Sequence, residues 1–253
     1  MRQLATQSGR SVSTIRRIIA DGLSRTPEVN NDFSSCRYLI LDGTALEKRK
    51  GLFVLMDGNG FKVVYGRFNM SEAPRDLKSF CDFLLERQLC PHSATVDGNP
   101  HLIRALKARW PQIKIQRCLV HIQRQGLSWC RQRPKRTDAK HLRQLFLRVS
   151  WIRTQKDKRK FIEQVKQWER RFGSIGQRPE SGWVLSDLKR ARSMLLAALP
   201  DMFHYLNDKK IAHSTNALEG YFARLKQRYR QHRGLSVVRR EAYFRWFLHL
   251  RTR

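Results

Sequence analysis

Three stretches of this chain end an apolar run in Asp-Gly: LILDG at Asp42, VLMDG at Asp57 and TVDG at Asp97. A carboxylate closing a buried strand costs free energy unless it is paired, metal-bound or turned outward to start a turn. Asp57 is explained locally, because DGNG between two strand-like runs is hairpin chemistry. Asp42 and Asp97 have only the general turn explanation. A third acid stands out for the opposite reason. Glu219 is the single acidic residue of IAHSTNALEGYFARLKQRYR, residues 211–230, which reads as a loop turning into a basic helix. It fits a capping box with Asn216 three residues earlier, and it equally fits a metal ligand. Two aspartates at neighbouring strand ends and a glutamate on a later helix are what two-metal phosphoryl transfer requires. Such carboxylates hold two Mg²⁺ ions ~3.5–4 Å apart, one beside the attacking oxygen and one beside the leaving oxygen. Oxygen ligands suit such hard cations better than sulfur or imidazole.

The helix carrying Glu219 places residues 219, 223, 226 and 230 on one face by i, i+4, i+7, i+11 spacing. Lys226 and Arg230 are therefore expected to continue a groove away from the acids and to contact DNA phosphates, or else to form a solvated basic face. Phe222, Leu225 and Tyr229 are expected to pack toward the core. The surrounding composition agrees with a polyanionic partner. Lysine and arginine total 51 against 21 acids in 253 residues, a formal charge of +30. That surplus repels itself in a folded chain, and nucleic acid relieves the repulsion. No apolar run approaches the ~18 residues of a membrane span, and MRQLATQSGR lacks the apolar core of a signal peptide. Five scattered cysteines argue for a reducing compartment rather than a disulfide framework. The expectation from composition is a soluble intracellular protein that binds nucleic acid. Nothing resembles an aromatic RNA-binding signature.

The elements that must position these acids follow from periodicity. Tyr38 to Leu41, Leu52 to Met56 and Phe61 to Phe68 read as strands, the last two joined by the DGNG turn. Ala73 to Gln88 has helical spacing. Ser93 to Val96 is a short strand, Pro100 to Arg109 a helix, Ile113 to Cys118 a strand, and helix resumes near Leu119. Strands followed by alternating helices and strands predict an α/β fold, a mixed sheet covered on both faces. Residues 36–130 would form the first part of this domain and 211–235 would return to it with the Glu219 helix. Between them, 131–210 is expected to be an all-helical insertion, opened by a basic connector to Lys140 and anchored by Trp151, Trp168 and Trp183. Residues 236–253 should be an aromatic-rich amphipathic helix. At the other end, residues 1–23 show two short helical patterns separated by Gly9, held by Leu4, Ala5, Val12, Ile15, Ile18 and Ile19. They form a partial helix-turn-helix-like segment in which Thr14, Arg16 and Arg17 would face DNA, or an ordinary helical hairpin. A third helix would have to come from elsewhere. Residues 24–35 read as a linker.

In order, LILDGT, TVDGN, IQRCLVHI and STNALEGYFARLKQR resemble the Mutator-type DDE transposases of bacterial insertion sequences, from about Cys36 to Gly234. The resemblance implies a ribonuclease H-like catalytic domain interrupted by a helical insertion. It also implies a catalytic and metal-binding triad at Asp42, Asp97 and Glu219, using two Mg²⁺ or Mn²⁺ ions. The family's C/D-x₂-H signature falls on Cys118 and His121, which become accessory active-site residues. Taken with Cys90 and His92 they could instead form a four-ligand zinc site; the preferred expectation is a buried Cys118 and a His121 facing the acids. The activity implied is strand cleavage at transposon ends and transfer to target DNA, with a homodimer during the reaction. The resemblance narrows the expected setting to a cytoplasmic, nucleoid-associated protein on double-stranded DNA, with no membrane and no small-molecule substrate. The alternatives are a truncated or repurposed transposase acting as a non-catalytic DNA-binding regulator, and a ribonuclease H-like nuclease.

Overall fold

The computed structural model describes residues 1–28, 32–46, 51–177, 182–231 and 234–252. Residues 29–31 of the expected linker, 178–181 of the expected insertion and 232–233 before the last helix lie outside the described residues, as do 47–50 and 253. Five strands are formed: β1 (Tyr38–Ala45), β2 (Gly51–Asp57), β3 (Lys62–Met70), β4 (Ser93–Val96) and β5 (Lys114–Arg117). They lie in the order β3-β2-β1-β4-β5. β1, β2 and β3 pair antiparallel, whereas β1–β4 and β4–β5 are parallel. This is the mixed α/β sheet that the sequence predicts.

Local chemistry accounts for the connections. The carboxylate of Asp57 accepts the Gly60 amide at 2.8 Å and closes the β2–β3 turn. The parallel strands are joined through α3 (Pro74–Glu86) and α4 (Pro100–Arg109). Both helices begin with proline in the first turn, where its missing N–H is harmless. Asn99 caps α4 by accepting the His101 amide at 2.9 Å.

Side-chain alternation sends the two halves of each strand to different layers. Leu39, Leu41, Phe53, Leu55, Ala94, Val96 and Ile115 pack with Leu77, Phe80 and Leu84 of α3 and Leu102 and Leu106 of α4. The opposite face of β1–β3, with Ile40, Val54, Met56 and Val63, packs under α9 (Asn216–Arg230) and α10 (Val237–Thr252) through Leu218, Phe222, Leu225, Phe244 and Leu248. A separate apolar cluster joins α5 (Leu119–Cys130), α6 (Thr137–Val149), α7 (Gln155–Phe172) and α8 (Gly182–Ala198). Gly126 allows α5 and α6 to approach closely, since a Cβ there would overlap the Phe146 ring.

Several expectations are corrected. β1 does not stop at Leu41 but runs through Asp42 to Ala45, because β2 continues to pair with it. Helix α6 begins at Thr137, so the basic connector is shorter than the sequence suggests. Of the three tryptophans expected to anchor the helical region, only Trp168 is buried, with its indole N–H on the Asp138 carbonyl at 3.0 Å. Trp151 and Trp183 are 78% and 65% exposed, and Trp183 instead receives the Arg131 guanidinium on its ring.

The N-terminal pair forms α1 (Arg2–Ser8) and α2 (Val12–Ser24), separated by Gly9 at φ +65°, a left-handed position suited to glycine. Ser11 caps α2 through the Thr14 amide at 3.1 Å. Only Ala5 and Ile15 of the expected apolar contacts are buried, while Leu4 and Ile18 are exposed. Helix α10 approaches α2 and the residues that follow it. The Trp246 indole N–H donates to the Arg25 carbonyl at 3.2 Å, and Arg245 donates to Thr26 Oγ1 at 3.1 Å. Helix α10 also lies along β3, with Phe244 stacked on Phe68 at 4.7 Å between centroids. Packed on two sides, it carries aromatics around its circumference rather than along one stripe, unlike the amphipathic helix expected.

Candidate active site

Strand register brings two of the three acids together. In the parallel β1–β4 pair, Ile40 lies opposite Thr95. Asp42 and Asp97 each stand two residues further along, Asp42 still within β1 and Asp97 just past the end of β4, near enough for the charge of Asp97 to act on Asp42. The same period of two decides which way they face. Ile40 packs under α9 and Thr95 donates to the Ala212 carbonyl at 2.6 Å, on the approach to α9. Asp42 and Asp97 share the parity of Ile40 and Thr95. On β5, Gln116 has the same orientation: buried, it donates to the Met202 carbonyl at 2.8 Å and accepts the Tyr205 amide. Cys118, two residues beyond it, follows.

Glu219 comes to this face from above. The N-cap of α9 is Thr215, not Asn216, and it makes no side-chain cap bond, so the alternative of a capping box between Asn216 and Glu219 is not formed. The Glu219 carboxylate instead accepts both guanidinium nitrogens of Arg124, at 3.1 and 3.4 Å, and lies 3.6 Å from His121 Nε2. A cleft of about 490 Å³ is lined by Asp42, Gly43, Thr44, His121, Arg124, Glu219, Phe222, Ala223, Lys226 and Arg230. The shared helical face of Glu219, Lys226 and Arg230 is therefore the face that the cleft exposes. Phe222 and Leu225 are buried beneath it, as their spacing predicts.

The electrostatics follow from burial and proximity. Burial raises the Asp42 carboxyl to about 6; His121 opposes the shift, neighbouring Asp97 adds to it, and hydrogen bonds from the Gly43 amide (2.8 Å) and from Thr215 oppose it. His121 is raised, first by its hydrogen bond with Cys118 and, against desolvation, by the charges of Cys118, Asp42 and Asp97. Burial alone would raise the Cys118 thiol, but His121 and Thr215 together lower it. Thr215 is fully buried, and its amide donates to Cys118 Sγ at 3.3 Å. Its hydroxyl lies 3.4 Å from His121 Nδ1. This loop residue, which the sequence reading passed over, ties Cys118 and His121 to the start of the Glu219 helix. Asp97 accepts the Asn99 amide at 2.9 Å and turns the chain at Gly98. Gly98 has φ +107°, and a Cβ there would overlap the Arg117 guanidinium.

Zinc at Cys90, His92, Cys118 and His121 is excluded by topology. His92 precedes β4 and Cys118 follows β5, at opposite ends of strands ~13 Å long. His92 is engaged by Asp208 at 3.6 Å and Cys90 is exposed. For a divalent cation that prefers oxygen, the donor types at Asp42, Asp97 and Glu219 fit, and burial disfavours the ionised form of Asp42. Among the described residues, however, no three His, Cys, Asp or Glu side chains are drawn together as an ion-holding group. Glu219 is occupied by Arg124. A larger cavity of about 560 Å³, between Phe33, Tyr65, Arg245 and Leu248, is lined by other acids, Glu28, Asp32 and Asp57. On α2, Arg16 and Arg17 are exposed and Thr14 is half-buried against Ser11. None of the three lines the cleft.

A mixed α/β sheet thus carries two aspartates at or just past the ends of neighbouring strands beneath a basic helix. Residues 92–236, more than half of the chain, match the model described as Transposase, Mutator family, and the chain belongs to that family. Family membership makes DNA the general partner, and its cleavage and transfer the general activity. The matched stretch contains Asp97, Cys118, His121, Arg124, Glu219, Lys226 and Arg230, and leaves Asp42 outside. No curated protein matches the chain. No described helix is long and apolar enough to cross a membrane.

Proposed function

We propose that this transposase cleaves DNA at the ends of an insertion sequence and transfers the freed 3′-OH to target DNA, with Asp42, Asp97 and Glu219 as its catalytic acids. The observation that carries this reading is that Asp42 and Glu219 line one basic cleft, with Asp97 just beyond the neighbouring strand and acting electrostatically on Asp42. The three acids would hold Mg²⁺ or Mn²⁺, two ions in all. When bound, these ions supply Lewis-acid stabilisation of the attacking and leaving oxygens of a phosphodiester.

The remaining chemistry belongs to the chain. Lys226 and Arg230 extend the cleft along α9 and bind backbone phosphates, holding the substrate in register with the acids. His121, positively charged through its neighbours, lies against Glu219 and offsets the crowding of carboxylates. Cys118 and Thr215 fix the ring of His121. Arg16 and Arg17, with Thr14, form a second DNA contact on α2, at a distance from the cleft. In this reading residues 36–130 and 211–235 form the catalytic part and 131–210 the insertion. Residues 1–23, after which 24–35 serve as a linker, and 236–253 act in DNA binding and its support. Joining two element ends calls for a homodimer during the reaction.

Nicking of end-labelled transposon DNA with and without Mg²⁺ tests the assignment. Glu219→Gln is expected to abolish cleavage while leaving duplex binding in place. Normal cleavage by that variant would remove Glu219 from the catalytic set.

A further inference from the structure

Arg124 has no role in the reading above, yet it is the residue most closely engaged with Glu219. It lies three residues after His121 on α5, so both project from the first two turns of that helix toward the cleft. Its guanidinium grips both carboxylate oxygens of Glu219 at 3.1 and 3.4 Å, while its side chain is 61% exposed. A fork pairing of this kind has two natural partners, a carboxylate and a phosphate, with matching bidentate geometry. Among the described residues, Lys226 and Arg230 line the same cleft without a carboxylate partner, whereas Arg124 is committed to the acid.

We propose that Arg124 is a two-position residue: it holds Glu219 while the cleft is empty and moves to a DNA phosphate when DNA enters, freeing Glu219 for the cation. The inference rests on the assignment of Glu219 as a ligand. Its physical content is a linkage. The cation must displace Arg124 to engage Glu219, so the ion pair weakens cation binding to the free protein. A phosphate that draws Arg124 away removes that competition, so DNA and the cation strengthen one another's binding, by the same factor in each direction. The long, exposed arginine stem allows the exchange without backbone movement. The arrangement would keep the cation site weak until substrate is present.

The test uses full-length protein and Ca²⁺, a divalent cation suited to binding measurements without turnover. Titration calorimetry would be run with and without a duplex of transposon-end sequence, on wild type, Arg124→Gln, Arg124→Lys and Asp97→Asn. Wild type is expected to bind Ca²⁺ more tightly with DNA present. Arg124→Gln is expected to bind it about two- to fivefold more tightly than wild type in the absence of DNA, the range that an exposed ion pair contributes. It should also lose most of the gain conferred by DNA. Arg124→Lys, which keeps the charge but not the fork, is expected to fall between the two. Equal affinities and equal DNA dependence in wild type and Arg124→Gln would overturn the proposal while leaving the acid assignment standing, provided that Asp97→Asn abolishes binding. Binding unaffected by Asp97→Asn would overturn the acid assignment and this inference with it.

Discussion

The two faces of the sheet are built from the same strands and differ in one respect. The face under α3 and α4 is mainly apolar, from Leu39, Leu41 and Phe53 to Val96 and Ile115. The face turned to α9 begins in the same way, with Ile40, Val54 and Met56, but toward the C-terminal ends of β1, β4 and β5 it changes to Asp42, Thr95, Gln116 and Cys118. Every one of these polar groups meets a counterpart from residues 202–219 or from His121. One face is closed by packing, which specifies the fold; the other is left partly unsatisfied in the apolar sense, which is where a reactive site can be placed. A strand-by-strand alternation of side chains is enough to separate the two purposes.

That contrast can be broken at either face. Substitutions on the acidic face should remove activity and spare the fold: Asp97→Asn is expected to reduce DNA cleavage on the order of 10³-fold, with a thermal midpoint close to wild type. Phe80→Ala on the packed face should do the reverse. It empties a fully buried site in contact with Phe53, and a loss of about 3–5 kcal/mol in urea unfolding is expected, with cleavage retained at temperatures where the variant is folded. Asp42 sharpens the comparison further. Because burial raises its carboxyl from 3.8 to about 6, the fold disfavours its ionised form; this penalty is absent below pH ~4 and complete above pH ~6. In chelator, Asp42→Asn is therefore expected to be more stable than wild type at neutral pH by about 1–3 kcal/mol, with the advantage vanishing at pH ~4. An inactive but stabilised variant would mark Asp42 as a residue kept for chemistry at the expense of stability. The smallest effect belongs to the rim. Arg230→Glu should lower the slope of log affinity against log salt by about one to two units, as direct phosphate contacts are lost. An unchanged slope would place Arg230 outside the DNA path.

The sequence made some parts of this arrangement legible and hid others for physical reasons. Turn chemistry separated Asp57 from Asp42 and Asp97, because DGNG fully accounts for the first. Helical periodicity put Glu219, Lys226 and Arg230 on one face, and the cleft contains all three. Short-range patterns could not show that α10 would meet the end of α2, since the Trp246–Arg25 contact joins residues far apart in the chain. Leu4 and Ile18 have the right spacing for a helical hairpin yet are exposed, because two short helices offer too little surface to bury all their apolar residues. Arg124 was missed although its i+3 spacing from His121 was available. A basic residue in so basic a chain is hard to single out without knowing which acid it faces. The capping-box pattern at Asn216 failed for a related reason: Glu219 had a stronger partner across the cleft than along its own backbone.

The placement of Glu219 has a consequence for how the protein is made. Asp42 on β1 and Asp97 just beyond β4 precede the helical region in the chain, and Glu219 on α9 follows it. A nascent polypeptide therefore carries the first two acids through the whole of α5 to α8 before the third is made. One released before α9 would hold two acids and no third.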